Sequence, residues 1–221
     1  MTQSDFPRSE PASGNAAKHL VVLCHGLGAD GFDLIDIAAA WAQAVPDAAF
    51  IAPHAPFPCE LAPHGRQWFS VADRTPAVIE PKVRVAQTYL DGFIDAELAR
   101  LSLAPDAYAL MGFSQGAMMV LYAGLRRPVP PRAILAYSGA LMAPDRLAET
   151  VNRAPILLVH GEDDEVVSVL QSRDAEAALR AGGFSVESLY CPGLGHGIDE
   201  AGLSTGALFL QRYLGSSAMG A

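Results

Sequence analysis

Tyr108-Ala109-Leu110-Met111-Gly112-Phe113-Ser114-Gln115-Gly116-Ala117-Met118-Met119 carries an apolar, strand-like run into Gly-x-Ser-x-Gly and a helix-favouring run out of it. A turn that joins strand to helix this abruptly strains its middle residue and crowds the neighbours. Gly112 and Gly116 lack the Cβ atoms that would clash there. Such a turn lifts the Ser114 hydroxyl off the sheet. It also sets the Gln115 N–H in the first turn of the next helix, where donors have no partner. The plainer reading is a glycine-rich turn around an ordinary serine. The chain supplies its own control, because Gly202-Leu203-Ser204-Thr205-Gly206 fits the same pattern. No strand run precedes that match and no histidine follows it, so Ser114 is the candidate nucleophile and Ser204 is not.

Working outward, short continuous apolar runs recur at His19–Cys24, Ala49–Ala52, Ala133–Tyr137 and Pro155–Val159, the mark of strands covered on both faces. Ser185–Tyr190 alternates instead, which suits a sheet edge. Helical spacing is expected over Asp33–Val45, Val83–Leu101 with Pro81 at its first position, Leu170–Ala181 and from Glu200 to Leu214. Strands alternating with helices predict an α/β fold: a mostly parallel central sheet with helices on both faces. Residues 1–17 read as a flexible leader, 18–215 as one domain and 216–221 as a flexible tail.

The 221 residues fit one core-rich domain at 51% hydrophobic composition. A formal charge of −9 argues against a nucleic-acid partner, which wants a basic face. Three cysteines, Cys24, Cys59 and Cys191, cannot all pair, and two lie in strand-like runs, so a reduced, cytoplasmic chain is expected. No signal peptide and no membrane span are legible in the sequence. A homodimer is compatible with it.

Ligands in such folds gather beyond the carboxyl ends of the strands. Glycine-rich loops follow the strands ending near Cys24, Met111, Val159 and Tyr190. A serine hydroxyl needs a base to take its proton, and the base needs an acid to fix its tautomer, in the chain order Ser, Asp or Glu, His. Only His160 and His196 follow Ser114, and His160 leaves no acid loop before it, so His196 is the base. His160 reads as a packed or turn-capping imidazole, and His25 as a structural residue of its loop. His19, His54 and His64 read as surface or loop residues, in no spacing that suits a metal. The acid lies in His160-Gly161-Glu162-Asp163-Asp164, where spacing alone does not separate Asp163 from Asp164. Two oxyanion donors are required. Gln115 N–H is one and Leu27 N–H, flanked by Gly26 and Gly28, is the other. The proline-broken stretch from His54 to Pro81 carries Trp68 and Phe69, which are expected either to form the substrate pocket or to pin the loop to the core.

Taken together, these stretches resemble the phospholipase/carboxylesterase family of α/β-hydrolases, which includes acyl-protein thioesterases and bacterial carboxylesterases. The matching segments are Cys24–Gly31, Ala55-Pro56 with Gly65–Phe69, Gly112–Ala117, His160–Asp164 and Gly195-His196-Gly197. The resemblance implies Ser114 as nucleophile, Asp164 as acid, His196 as base, and Leu27 and Gln115 as oxyanion donors. It implies no metal and no cofactor. Glu165 and Ser168 stand where the family commonly has Pro. The long loop is more similar to bacterial carboxylesterases, so small esters are the expected substrates. Lysophospholipids and acyl thioesters are the rivals, and a non-catalytic ligand-binding protein is the rival from another class.

Overall fold

In the computed structural model, which describes residues 6–215, each continuous apolar run becomes a strand covered on both sides. The strands are β1 (Arg8–Ser9), β2 (His19–Cys24), β3 (Ala48–Ile51), β4 (Phe57–Pro58), β5 (Arg66–Gln67), β6 (Tyr108–Phe113), β7 (Ile134–Tyr137), β8 (Ile156–Gly161) and β9 (Val186–Cys191). The helices are α1 (Ile37–Trp41), α2 (Pro76–Arg100), α3 (Gln115–Gly124), α4 (Val169–Ala181) and α5 (Glu200–Leu214). Seven strands form one sheet in the order β1-β3-β2-β6-β7-β8-β9, parallel except where β1 pairs with β3. β4 and β5 form a separate ribbon inside the long loop. Side-chain alternation splits the core in two. Leu20, Val22 and Leu110 pack beneath α2, α3 and α4, while Val21, Leu23 and Met111 face α1 and α5. Cys24 pairs with Gly112, Phe113 with Tyr137 and Gly161 with Cys191, so β2, β6, β7, β8 and β9 end on one rim. The alternating strand, β9, is an edge as expected.

The leader differs from its expectation. From Phe6 onward it packs: Phe6 is buried against Phe93 and His54, and β1 adds an antiparallel edge. Arg8 reaches Glu97 at 2.8 Å, and Arg100 holds the other carboxylate oxygen at 2.8 Å. Glu97 is fully buried, and a buried carboxylate left without partners is strongly destabilising, so this pairing ties the segment down. Residues 1–5 and 216–221 lie outside the described residues.

Two helices also differ. The one expected over 33–45 is a short 3₁₀ turn at Gly31–Asp33 followed by α1. Asp30 causes this, because its Oδ1 takes the Phe32 N–H at 2.8 Å and closes a tight turn first. α2 begins at Pro76 rather than Pro81, with Pro76 at the helix start, where its fixed φ is an asset. Pro81 sits on the exposed side of the second turn. The second Gly-x-Ser-x-Gly lies within α5. Its glycines serve packing: a Cβ on Gly206 would collide with the Tyr137 hydroxyl, while Ser204 faces outward, exposed. No described helix is long and apolar enough to cross a membrane.

Candidate active site

Ser114 sits between β6 and α3 at φ 54° and ψ −116°, a backbone conformation that non-glycine residues avoid. Its surroundings enforce it. A Cβ on Gly116 would collide with the Cys24 carbonyl oxygen, and one on Gly112 with the backbone of Gly116, so strand, turn and helix close up only with glycine at both places. Ser114 N–H donates to the Tyr137 carbonyl at 2.9 Å, fastening the turn to β7.

His196, from the loop between β9 and α5, brings Nε2 to 3.1 Å from Ser114 Oγ. Its Nδ1 lies 2.7 Å from Asp164 Oδ2. Since a carboxylate can only accept, Nδ1 carries the proton and Nε2 is free to take one from the serine. Phe113 packs on the imidazole at 4.8 Å between ring centres. Of the two candidate acids, Asp164 is buried and Asp163 is exposed. Burial alone would raise the Asp164 carboxyl. The hydrogen bond from His196 and the N–H groups of Val167 and Val166 outweigh it and hold the group below the usual carboxylate range. Ser168, at one of the positions where the family commonly has Pro, caps α4 by accepting the Leu170 N–H.

Two backbone N–H groups beside Ser114, those of Leu27 and Gln115, have no acceptor among the described residues. Gln115 opens α3, where the first N–H groups have no intrahelical partner. Leu27 is oriented by His25. His25 Nδ1–H donates to the Gly26 carbonyl at 2.7 Å, and a trans peptide points its N–H opposite to its C=O, so the Leu27 N–H turns away from the ring. His25 Nε2 accepts the Ala55 N–H at 2.9 Å, which requires the neutral ring. Burial pushes the His25 pKa down to about 4, against the upward pull of the Gly26 carbonyl.

Trp68 and Phe69 part company. Phe69 lines the cleft in front of Ser114. Trp68 does not: it is fully buried, and its Nε1 donates to the His25 carbonyl at 2.9 Å, so it pins the loop. The Gln115 side chain secures both, with Oε1 accepting the Trp68 N–H at 2.8 Å and Nε2 donating to the Phe69 carbonyl at 2.7 Å. His54, expected at the surface or in a loop, is a buried loop residue and accepts the Gly31 N–H at 3.0 Å.

His160 is packed, as expected, but it also touches Asp164, the candidate acid. Its Nε2 faces two acceptors, the Val167 carbonyl at 2.8 Å and Asp164 Oδ2 at 3.1 Å, so it carries the proton. Its Nδ1 takes the Ser172 hydroxyl at 2.6 Å. The four-residue separation of His160 from Asp164 across the turn was the signal in the sequence.

The cleft itself has a volume of about 980 Å³ and passes Ser114, His196 and Leu27 before running between the start of α2 and the loop after β7. Its walls are mostly apolar. Residues 11–214 match the family model described as Phospholipase/Carboxylesterase. The chain belongs to this family of α/β-hydrolases. It is 30% identical to esterase YpfH of Escherichia coli over 83% of this chain and 78% of that protein. It is 27% identical to acyl-protein thioesterase 1 of Gibberella zeae over 88% of this chain and 90% of that one. Among solved structures, esterase PE8 superposes with a TM-score of 0.88 at 41% identity, covering 95% of this chain and 98% of its own. Within the phospholipase/carboxylesterase family, then, this chain is a serine hydrolase whose candidate residues meet at one rim of the sheet.

Proposed function

We propose that this serine hydrolase cleaves small carboxylic esters by transferring the acyl group to Ser114. The observation that carries the reading is the unbroken hydrogen-bond series from Ser114 Oγ to His196 at 3.1 Å and on to Asp164 at 2.7 Å, open to an apolar cleft. Ser114 Oγ attacks the ester carbonyl carbon while His196 Nε2 takes its proton. The carbonyl oxygen becomes an oxyanion, received by the Leu27 and Gln115 N–H groups. Asp164 stabilises the imidazolium. The tetrahedral species collapses, the carbon–oxygen bond to the alcohol breaks, and Nε2 hands its proton to the departing oxygen. Water then repeats the sequence on the acyl-serine, releasing the acid and restoring Ser114.

Acyl thioesters are a second reading, supported by the relatives named acyl-protein thioesterase and by the same geometry, since a thiolate needs less protonation to leave. The unpaired state of all three cysteines supports a cytoplasmic location, and the acidic balance supports no role for nucleic acid. The test is labelling with an organophosphonate followed by peptide mapping, alongside rates on matched oxygen and thiol esters. A phosphonyl group on Ser114 and turnover of the oxygen ester are expected; label on Ser172 or Ser204, or none, overturns the assignment.

A further inference from the structure

On the face of α3 that carries Ser114, the next residue one turn along, Met118, also lines the cleft. A further turn brings Tyr122, buried, whose hydroxyl donates to Glu80 Oε1 at 3.4 Å. Ser114 and Tyr122 are therefore about 12 Å apart along the helix axis. The cleft is lined by the apolar Phe69, Val71, Ile79, Leu141 and Met142, with Arg74 and Asp145 also on its walls. Tyr122 marks where an ion pair meets the cleft. Glu80, on the second turn of α2, and Arg146, in the 3₁₀ segment Pro144–Glu149, line the cleft from opposite walls and meet at 3.3 Å. Arg84 contacts Glu80 at 2.7 Å and Glu149 at 2.6 Å, and Arg146 contacts Glu149 at 3.2 Å. Arg126 stacks over the Tyr122 ring at 3.9 Å behind them.

We infer that the Glu80–Arg146 pair is an ionic end wall that limits the length of acyl chain the enzyme accepts. The inference rests on the reading of Ser114 as the acylated residue. His196 must reach the leaving oxygen, so the alcohol departs on its side of Ser114 and the acyl chain lies along α3. An extended chain spans about 1.2 Å per bond, so a chain of roughly ten carbons reaches the charges. A longer one must strip water from them or part them, and burying an alkyl end against a charged pair is unfavourable. The wall is also separable. The 3₁₀ segment buries no side chain and follows Ala143, which holds a left-handed φ of 50°. Leu147 packs partly buried on the core, and ion pairs from Arg84 and Arg146 tie the polar part of the segment to α2. Arg146 is 46% exposed, and pairs this open contribute little and weaken in salt.

The test compares p-nitrophenyl butyrate with p-nitrophenyl laurate as substrates of the full chain, using wild type, Glu80→Gln, Arg146→Gln and the double variant. The laurate-to-butyrate ratio of kcat/KM is expected to rise about tenfold in either single variant. In the double variant it should rise no further, because both changes remove one interaction. In wild type the ratio should also climb between about 0.05 and about 0.5 M salt, and in the variants it should not. An unchanged ratio in both single variants, or a ratio in wild type that is flat across salt, overturns the end wall while leaving ester hydrolysis standing. Failure of wild type to hydrolyse either ester overturns the esterase reading and the end wall with it.

Discussion

Two serine–histidine pairs share one carboxylate in this protein. Ser114 with His196 and Ser172 with His160 both converge on Asp164 Oδ2, at 2.7 and 3.1 Å from the respective rings. By hydrogen-bond length the inner pair is the tighter, 2.6 Å against 3.1 Å. Its chemistry is nonetheless closed. Ser172 is buried in the first turn of α4 and does not line the cleft, and its other neighbour is an acceptor, the Gly139 carbonyl at 3.3 Å. Ser114 instead has a cleft in front of it, two unpaired N–H groups beside it and a strained backbone that holds its hydroxyl forward. Residue types in hydrogen-bond reach do not make a nucleophile. Access and a place for the developing oxyanion do.

The strongest way to break this comparison is to delete each hydroxyl in turn. Ser114→Ala should lower kcat by about 10⁴–10⁶-fold on p-nitrophenyl butyrate. Ser172→Ala should cost less than about tenfold. Comparable losses would erase the distinction. Next, Asp164→Asn should lower kcat by about 10⁴-fold. The exposed Asp163→Asn should stay within about tenfold of wild type, with circular dichroism checking that both are folded.

Another histidine, the buried His25, sharpens the contrast, because it holds the loop that gives Ser114, and not Ser172, its second candidate donor. An ordinary imidazole gains its proton near 6.5, whereas His25 in the fold does so at about 4. Between those values the unfolded chain binds more protons than the folded one. The stabilisation is therefore complete above pH 6.5 and is lost as pH falls to 4, amounting to about 3 kcal/mol. Urea unfolding at pH 7 and pH 4.5 should show this decline in wild type and a shallower one in His25→Gln. The smallest effect concerns the inner pair's hold on Asp164. His160→Ala should lower kcat by about tenfold at nearly constant KM, and His160→Gln, which keeps an N–H donor, should recover most of it. A larger change in KM than in kcat would mean that His160 shapes the cleft rather than the acid.

The central strands were legible because their signal is physical and local: a run covered on both faces has no room for polar alternation, and His19–Cys24 reads off to the residue. The turn at Ser114 was legible for a like reason, since its glycines answer to backbone collisions within a few residues. What stayed hidden depends on direction. Trp68 and Phe69 are adjacent and alike in composition, yet they sit in a bend just after β5, and only the tertiary partners His25 and Gln115 decide which faces the cleft. Phe6 looked like part of a polar leader because one aromatic carries no period, and its pocket is built by residues far along the chain. Glu80 lies in a turn of α2 that the prolines at 76 and 81 made look like loop.

The Gln115 clamp has a consequence for how this enzyme can be altered. Gln115, whose N–H is proposed to receive the oxyanion, also grips the backbone of Trp68 and Phe69 through its amide. On the proposed mechanism the Phe69 wall is thus geared to the rate: reshaping it moves the Gln115 donor. The opposite wall, from Leu141 to Arg146, makes no such bond to Gln115. Selection for new substrates, natural or in the laboratory, would meet low resistance on that side and high resistance on the other. Diversity of chain-length preference should accumulate in the 141–149 segment while the loop at 65–69 stays fixed.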